Sequence, residues 1–98
     1  MVKEALLAKA ELRVGLLLGR FGDEVEDVTL RLSTIPGAKG QPDKRCEIVA
    51  RLRPQALRVE HSDIDLEVAL DRAADKAVRS IGRALDLARA KAALRPGR

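Results

Sequence analysis

The segment from Ser62 to Leu94, SDIDLEVALDRAADKAVRSIGRALDLARAKAAL, carries one uninterrupted helical pattern, and no other stretch constrains the fold as strongly. Leu70, Ala77, Ile81, Leu85 and Ala88 recur at steps that place them on one side of a helix turning about 100° per residue. Ser62 followed by Asp65 has the form of a capping box with Asp in place of Glu, so the helix is expected to start there. Some thirty residues at about 1.5 Å each give a helix of about 45 Å, whereas strands of six to nine residues span roughly 20–30 Å. A small sheet cannot cover such a helix, so its C-terminal end, with Arg89, Lys91, Arg95 and Arg98, must overhang.

The remaining chain supplies what that helix packs on. Residues 3–21 read as a helix with Leu6, Leu7, Ala10, Val14, Leu17, Leu18 and Phe21 on one broad apolar face, which leaves Leu12 and Leu16 outside it. VTLRLS alternates, with Val28, Leu30 and Leu32 to one side. TIPGAKGQPDK reads as a long hairpin loop, because two Pro and two Gly fall within eleven residues. RCEIVARLR then turns Cys46, Ile48, Ala50 and Leu52 inward. After a turn at Pro54 and Gln55, ALRVE turns Leu57 and Val59 inward. The expected fold is α+β, in the order α-β-β-β-α, with a three-stranded antiparallel sheet that has one apolar face.

Ninety-eight residues allow one domain, so residues 1–98 are read as a unit in which 86–98 form a basic helical overhang and tail. One Phe and no Trp or Tyr leave the core to Leu, Val, Ile and Ala, and leave no aromatic platforms for stacking unpaired bases. The single cysteine, Cys46, forms no intrachain disulfide and is read as a core thiol, which makes the cytoplasm the expected compartment. The opening segment is interrupted by Lys3, Glu4, Lys9, Glu11 and Arg13, so neither a signal peptide nor a membrane span is expected. One histidine, His61, read as a turn residue, and one cysteine fall short of a zinc site. Asp63, Asp65 and Glu67 are ordinary helix-start carboxylates. No catalytic constellation, metal or cofactor is expected.

Charge is segregated along the chain. Residues 1–22, 23–27, 28–62, 63–75 and 76–98 carry +2, −4, +4, −4 and +6, for a net +4. Arg72, Lys76, Arg79 and Arg83 fall within about 60° of one another on the last helix, a stripe facing away from its apolar side. A stripe of this kind is most often a solvated face. The polyanion reading gains from further basic groups: Lys9, Arg13 and Arg20 on the first helix, Lys39, Lys44 and Arg45 assigned to the hairpin loop, and Arg89 on the overhang. Arg31, Arg51, Arg53 and Arg58 add to the open face of the sheet. The double-stranded RNA-binding domain has the same element order, but it meets phosphates with a basic start of its last helix, where this chain is at −4.

DKRCEIVARL followed by DIDLEVALDRAADKAVRSIGRAL resembles the ribosome hibernation-promoting factor and ribosome-associated inhibitor family. Asp65, Ala69, Leu70, Asp71, Ala74, Asp75 and Lys76 fill the pattern that opens the family's last helix, with Arg79 and Arg83 following. LGRFGDEVEDVTLRLS and PGAKGQPDKRC resemble its helix-to-strand junction and hairpin loop. The resemblance spans about Ala5 to Ala90. It implies an α+β fold with both helices packed on one face of the sheet, and a factor without cofactor or chemistry that sits on the RNA of the small ribosomal subunit, where transfer and messenger RNA bind, and silences translation under stress or in stationary phase.

Family members normally open with a strand before the first helix, and long ones append a domain that pairs two ribosomes. This chain starts almost at the helix and ends at Arg98. Either the natural start lies upstream and supplies that strand, or Val28–Ser33 is a bare edge that is expected to form a homodimer or to take a strand donated in trans; ribosome dimerisation by this chain alone is not expected. The rival reading is a small protein-interaction module that dimerises or binds a partner through Leu12, Leu16 and the sheet edge, without RNA binding.

Overall fold

A computed structural model describes residues 4–37, 40–53 and 55–94. Helix α1 spans Glu4–Phe21 and leads through a short 3-10 turn at Gly22–Glu24 into strands β1 (Asp27–Pro36), β2 (Pro42–Arg51) and β3 (Ala56–Asp63), then helix α2 (Leu66–Leu94). The strands form one antiparallel sheet in the order β1-β2-β3. The α-β-β-β-α order and the α+β class are those expected from the periodicity.

Alternation fixes which face of the sheet is covered. Val28, Cys46, Ile48 and Ala50 are buried, and Leu30, Leu32, Leu57 and Val59 pack around them. Against this face α2 sets Ala69, Leu70, Ala73, Ala74, Ala77 and Ile81, all buried. The run of alanines lets the helix lie close to the strands without large aromatic side chains between them. From Asp86 to Leu94 every residue of α2 is exposed, so the overhang is present as expected. The molecule is correspondingly long, 58 × 28 × 16 Å.

Helix α1 buries less than its composition promises. Ala10 and Leu17 are buried, with Leu6, Val14 and Phe21 packed beside them, but Leu7 is 53% and Leu18 36% exposed. The cause is position: α1 touches β1 and α2 at the margin of the sheet, while α2 lies across β2 and β3. Leu7 and Leu18 hang past the margin, and Leu12 and Leu16 face away from the core as expected. Gly22, at φ +58°, supplies the left-handed residue that stops α1.

Three local expectations need correction. The hairpin is tighter than its composition suggests, since β1 and β2 stay paired out to Pro36 opposite Pro42. The ladder continues until residues without an N–H end it, and a Cβ on Gly37 would lie 1.9 Å from the Gln41 carbonyl oxygen, so the turn requires glycine there. Lys44 and Arg45 are thereby residues of β2, not of a loop. His61 is no turn residue; it lies within β3, half-buried opposite Cys46. Ser62 pairs with Arg45 in the sheet, and the cap of α2 is Asp65, whose Oδ1 accepts the Glu67 N–H at 2.8 Å. Asp63 in turn accepts the Asp65 N–H at 2.9 Å. The acidic cluster thus serves the start of the helix.

Candidate RNA-binding face

The eleven basic residues singled out from the sequence do not form one surface. Lys9 and Arg13 face α2. The Lys9 ammonium lies 2.8 Å from Glu67 and 3.4 Å from Asp71, and Arg13 Nη2 lies 2.8 Å from Asp71 Oδ1. α1 and α2 run in the same direction, so residues advancing by four on one helix meet residues advancing by four on the other. The hydrogen bond to Glu67 raises the Lys9 pKa above its ordinary value. Partial burial opposes ionisation of Asp71, yet the Arg13 hydrogen bond and the charges of Lys9 and Arg13 outweigh it and hold the carboxyl below its usual range. These two cations are committed to joining the helices.

The open face of the sheet is similarly balanced. Arg45 pairs with Glu60, whose carboxyl is lowered by that hydrogen bond, and Arg58 pairs with Glu47. By register Arg31 stands opposite Glu47 and Arg51 opposite Asp27. Asp27, Asp43, Glu47 and Glu60 therefore match Arg31, Arg45, Arg51 and Arg58 in number, and the face has little net attraction for a polyanion. Arg53 pairs with Glu26 beyond the strand ends. At the overhang, Arg89 holds both oxygens of Glu24 at 2.8 and 2.7 Å and Asp86 at 3.1 Å. Lys44 contacts only Thr34 Oγ1, at 3.5 Å, and the exposed Arg20 guanidinium lies 5.8 Å from the Phe21 ring centroid. Lys39 lies outside the described residues.

The flank of α2 beside β3 is different. Arg72, Arg79 and Arg83 are exposed, and among the described residues none of them forms an ion pair or a side-chain hydrogen bond. Asp75, one turn from Arg72 and Arg79, pairs with neither. Lys76, half-buried between them, donates to the Glu60 carbonyl at 3.0 Å and fixes the flank against β3. From Arg72 to Arg83 the stripe runs about 16 Å along the helix. Along the helix axis Arg72 and Arg79 lie about 10.5 Å apart, and Arg79 and Arg83 about 6 Å apart. Lys91, exposed further along, continues the basic character of the overhang. Among the described residues no group of metal-binding side chains converges, and no helix is long and apolar enough to cross a membrane.

A basic flank on a small α+β scaffold defines a candidate docking protein for structured RNA. Comparison with known proteins gives the class more sharply: residues 1–89 match the model of the family described as Sigma 54 modulation protein / S30EA ribosomal protein, and the chain belongs to that family of ribosome-associated hibernation factors. Among solved structures, the N-terminal domain of Thermus thermophilus Protein Y is similar, with 27% identity, a TM-score of 0.62 and 83% of each chain covered. No curated protein matches.

Proposed function

We propose that this chain binds RNA of the small ribosomal subunit through the α2 flank formed by Arg72, Lys76, Arg79 and Arg83, and holds the ribosome inactive under stress or in stationary phase. The observation that carries the reading is that Arg72, Arg79 and Arg83 share one flank without ion pairs, while Lys9, Arg13, Arg45 and Arg89 are engaged by carboxylates. Arginine recognises phosphate through a planar fork of donors, so three of them along one helix bind a folded backbone by shape and charge. The absence of Trp and Tyr suits this mode and not the capture of unstacked bases. Family membership supports the ribosome as partner. Inhibition follows by occupancy: a protein seated where transfer and messenger RNA bind excludes them without performing chemistry. The cytoplasm is the compartment this role requires.

Co-sedimentation with small subunits tests the reading. The wild type is expected in the ribosomal pellet at low salt, and Arg72→Glu/Arg79→Glu/Arg83→Glu in the supernatant with its melting transition unchanged. Retention of that variant on the subunit would move the footprint to Arg20 and Lys44. A wild type that stays in solution would favour the interaction-module reading, for which the exposed Leu12 and Leu16 are the supporting observation.

A further inference from the structure

Helix α1 is apolar on two opposite sides. Toward the core it sets Ala10 and Leu17, while Ala5, Ala8, Leu12, Gly15, Leu16 and Gly19 lie within about 100° of one another on the face turned away from the sheet, all of them exposed. Leu12 is 62% and Leu16 59% exposed. A surface helix ordinarily carries polar side chains there, and one that is apolar all round is ordinarily covered. The sheet lies beneath α1, so a strand added at either sheet edge would leave this upper face open.

The spacing on the face is that of a helix-to-helix seam. From Ala5 through Ala8, Leu12 and Gly15 to Gly19 the steps are three, four, three and four. Charge is sorted on its two flanks: Glu4 and Glu11, both exposed, stand toward the β1 margin, and Lys9, Arg13 and Arg20 stand toward α2. A Cβ on Gly15 or Gly19 would meet nothing within 4 Å, so no described neighbour calls for glycine there, although glycine weakens a helix. Beside the two glycines a groove of about 430 Å³ is lined by Leu16, Leu17, Val78 and Arg20.

We propose that this face seats the same face of a second copy, the two α1 helices packing parallel about a two-fold axis along their length. Charge selects the occupant and its direction. Parallel packing lays the Glu4 and Glu11 flank of each copy against the Lys9, Arg13 and Arg20 flank of the other, so one sequence supplies both complementary rows. Antiparallel packing would set carboxylates against carboxylates and bring the two α2 helices, with Arg72 and Arg79, over one another. In the parallel pair Leu16 of each copy lies against Gly15 of the other, and the α2 helices fall on opposite sides of the seam. The α2 flank beside β3 therefore stays open. The seam is about 21 Å long and about 10 Å across, far smaller than the roughly 800 Å² per partner of a standard complex. The pair is accordingly weak, with a Kd on the order of 0.1–1 mM.

Sedimentation equilibrium of the whole chain from about 0.02 to 2 mM tests the proposal, a range that brackets the expected Kd. The wild type should pass from monomer to dimer, and the resonances of isotope-labelled Leu12, Gly15 and Leu16 should shift over the same range. Gly15→Gln should raise the melting temperature, because Gln favours helix, yet weaken the dimer about tenfold or more by filling the seat of Leu16. Glu11→Lys should weaken it about two- to fivefold, the factor an exposed ion pair supplies. Mild oxidation of Ala8→Cys reads the direction, since position 8 meets its own image in a parallel pair and Leu16 in an antiparallel one centred on Leu12. An intermolecular disulfide should form in that variant alone, and the fully buried Cys46 does not compete. A wild type still monomeric at the highest concentration, a Gly15→Gln variant that dimerises like the wild type, or an Ala8→Cys variant that links only when mixed with Leu16→Cys would overturn the proposal. Gly15→Gln should still co-sediment with small subunits, which keeps this pairing separate from ribosome binding through α2. Its loss from the ribosomal pellet would assign the face to the ribosome and overturn the second copy as its occupant.

Discussion

Arg13 Nη2 stands 2.8 Å from Asp71 Oδ1, and that contact joins α1 to α2 across the outer side of the core. Because α1 meets the sheet mainly along β1 and buries only Ala10 and Leu17, its seat depends on such contacts more than that of α2 does. Asp71→Asn should therefore lower the melting temperature at neutral pH. The Asp71 carboxyl is held below its ordinary 3.8, so its stabilisation is complete above that value and is lost as pH falls through the lower folded-state pKa. The gap between wild type and Asp71→Asn, followed by thermal melts from pH 7 downward, should stay open to about pH 4 and close below it. A gap that persisted in strong acid would assign the effect to packing and not to charge.

This ion pair also marks what the sequence could and could not reveal. Alternation placed Val28, Ile48, Ala50 and Leu57 on the covered face because a strand has a fixed period and one buried side. The pairing of Lys9 and Arg13 with Glu67 and Asp71 depends on how two helices far apart in sequence are set side by side, and no local pattern carries that. The acidic block at 63–75 was the available clue, since a helix start at −4 beside a basic helix flank invites neutralisation. Leu7 failed for a related reason: periodicity finds an apolar face but does not say how much cover awaits it. The segment at His61 and Ser62 was misread because polar residues in an edge strand look like a turn when the ladder that holds them is not yet known.

Cys46 is fully buried, and burial pushes its thiol up to about 11. Since the thiolate is the reactive form, iodoacetamide at pH 8 should leave the native protein unmodified and label the chain in denaturant, as mass spectrometry would register. Cys46→Ser should cost about 1–3 kcal/mol in urea unfolding, because a hydroxyl there gives up its water among mostly apolar neighbours. Rapid native labelling would show that the β2 and β3 pairing around Cys46 and His61 opens readily.

Ile81 is 1% exposed and marks the last fully packed turn of α2 before the overhang, whereas Leu94 is 83% exposed. Ile81→Ala should destabilise the protein by about 2–5 kcal/mol, a large share of the stability of a domain this size. Leu94→Ala should stay within about 0.5 kcal/mol. Chemical denaturation of the two variants would check the contrast. A comparable loss in both would mean that the overhang is packed in solution against something the isolated chain does not supply.

The salt dependence of ribosome binding separates the stripe from the rest of the charge. Each phosphate neutralised by a bound cation releases counterions, so the logarithm of the association constant falls with the logarithm of salt at roughly 0.7–0.9 per contact. If Arg72, Arg79 and Arg83 each meet a phosphate, changing all three to Gln should reduce that slope by about 2–3. Arg45→Gln should leave the slope nearly unchanged, because Arg45 already shares its charge with Glu60. Gln is the informative replacement here, since Glu would add repulsion and confound the count. Binding measured from low to moderate salt for these variants gives the slopes directly. Equal slopes for the triple variant and the wild type would exclude the α2 flank as the phosphate-binding surface, whatever the absolute affinities.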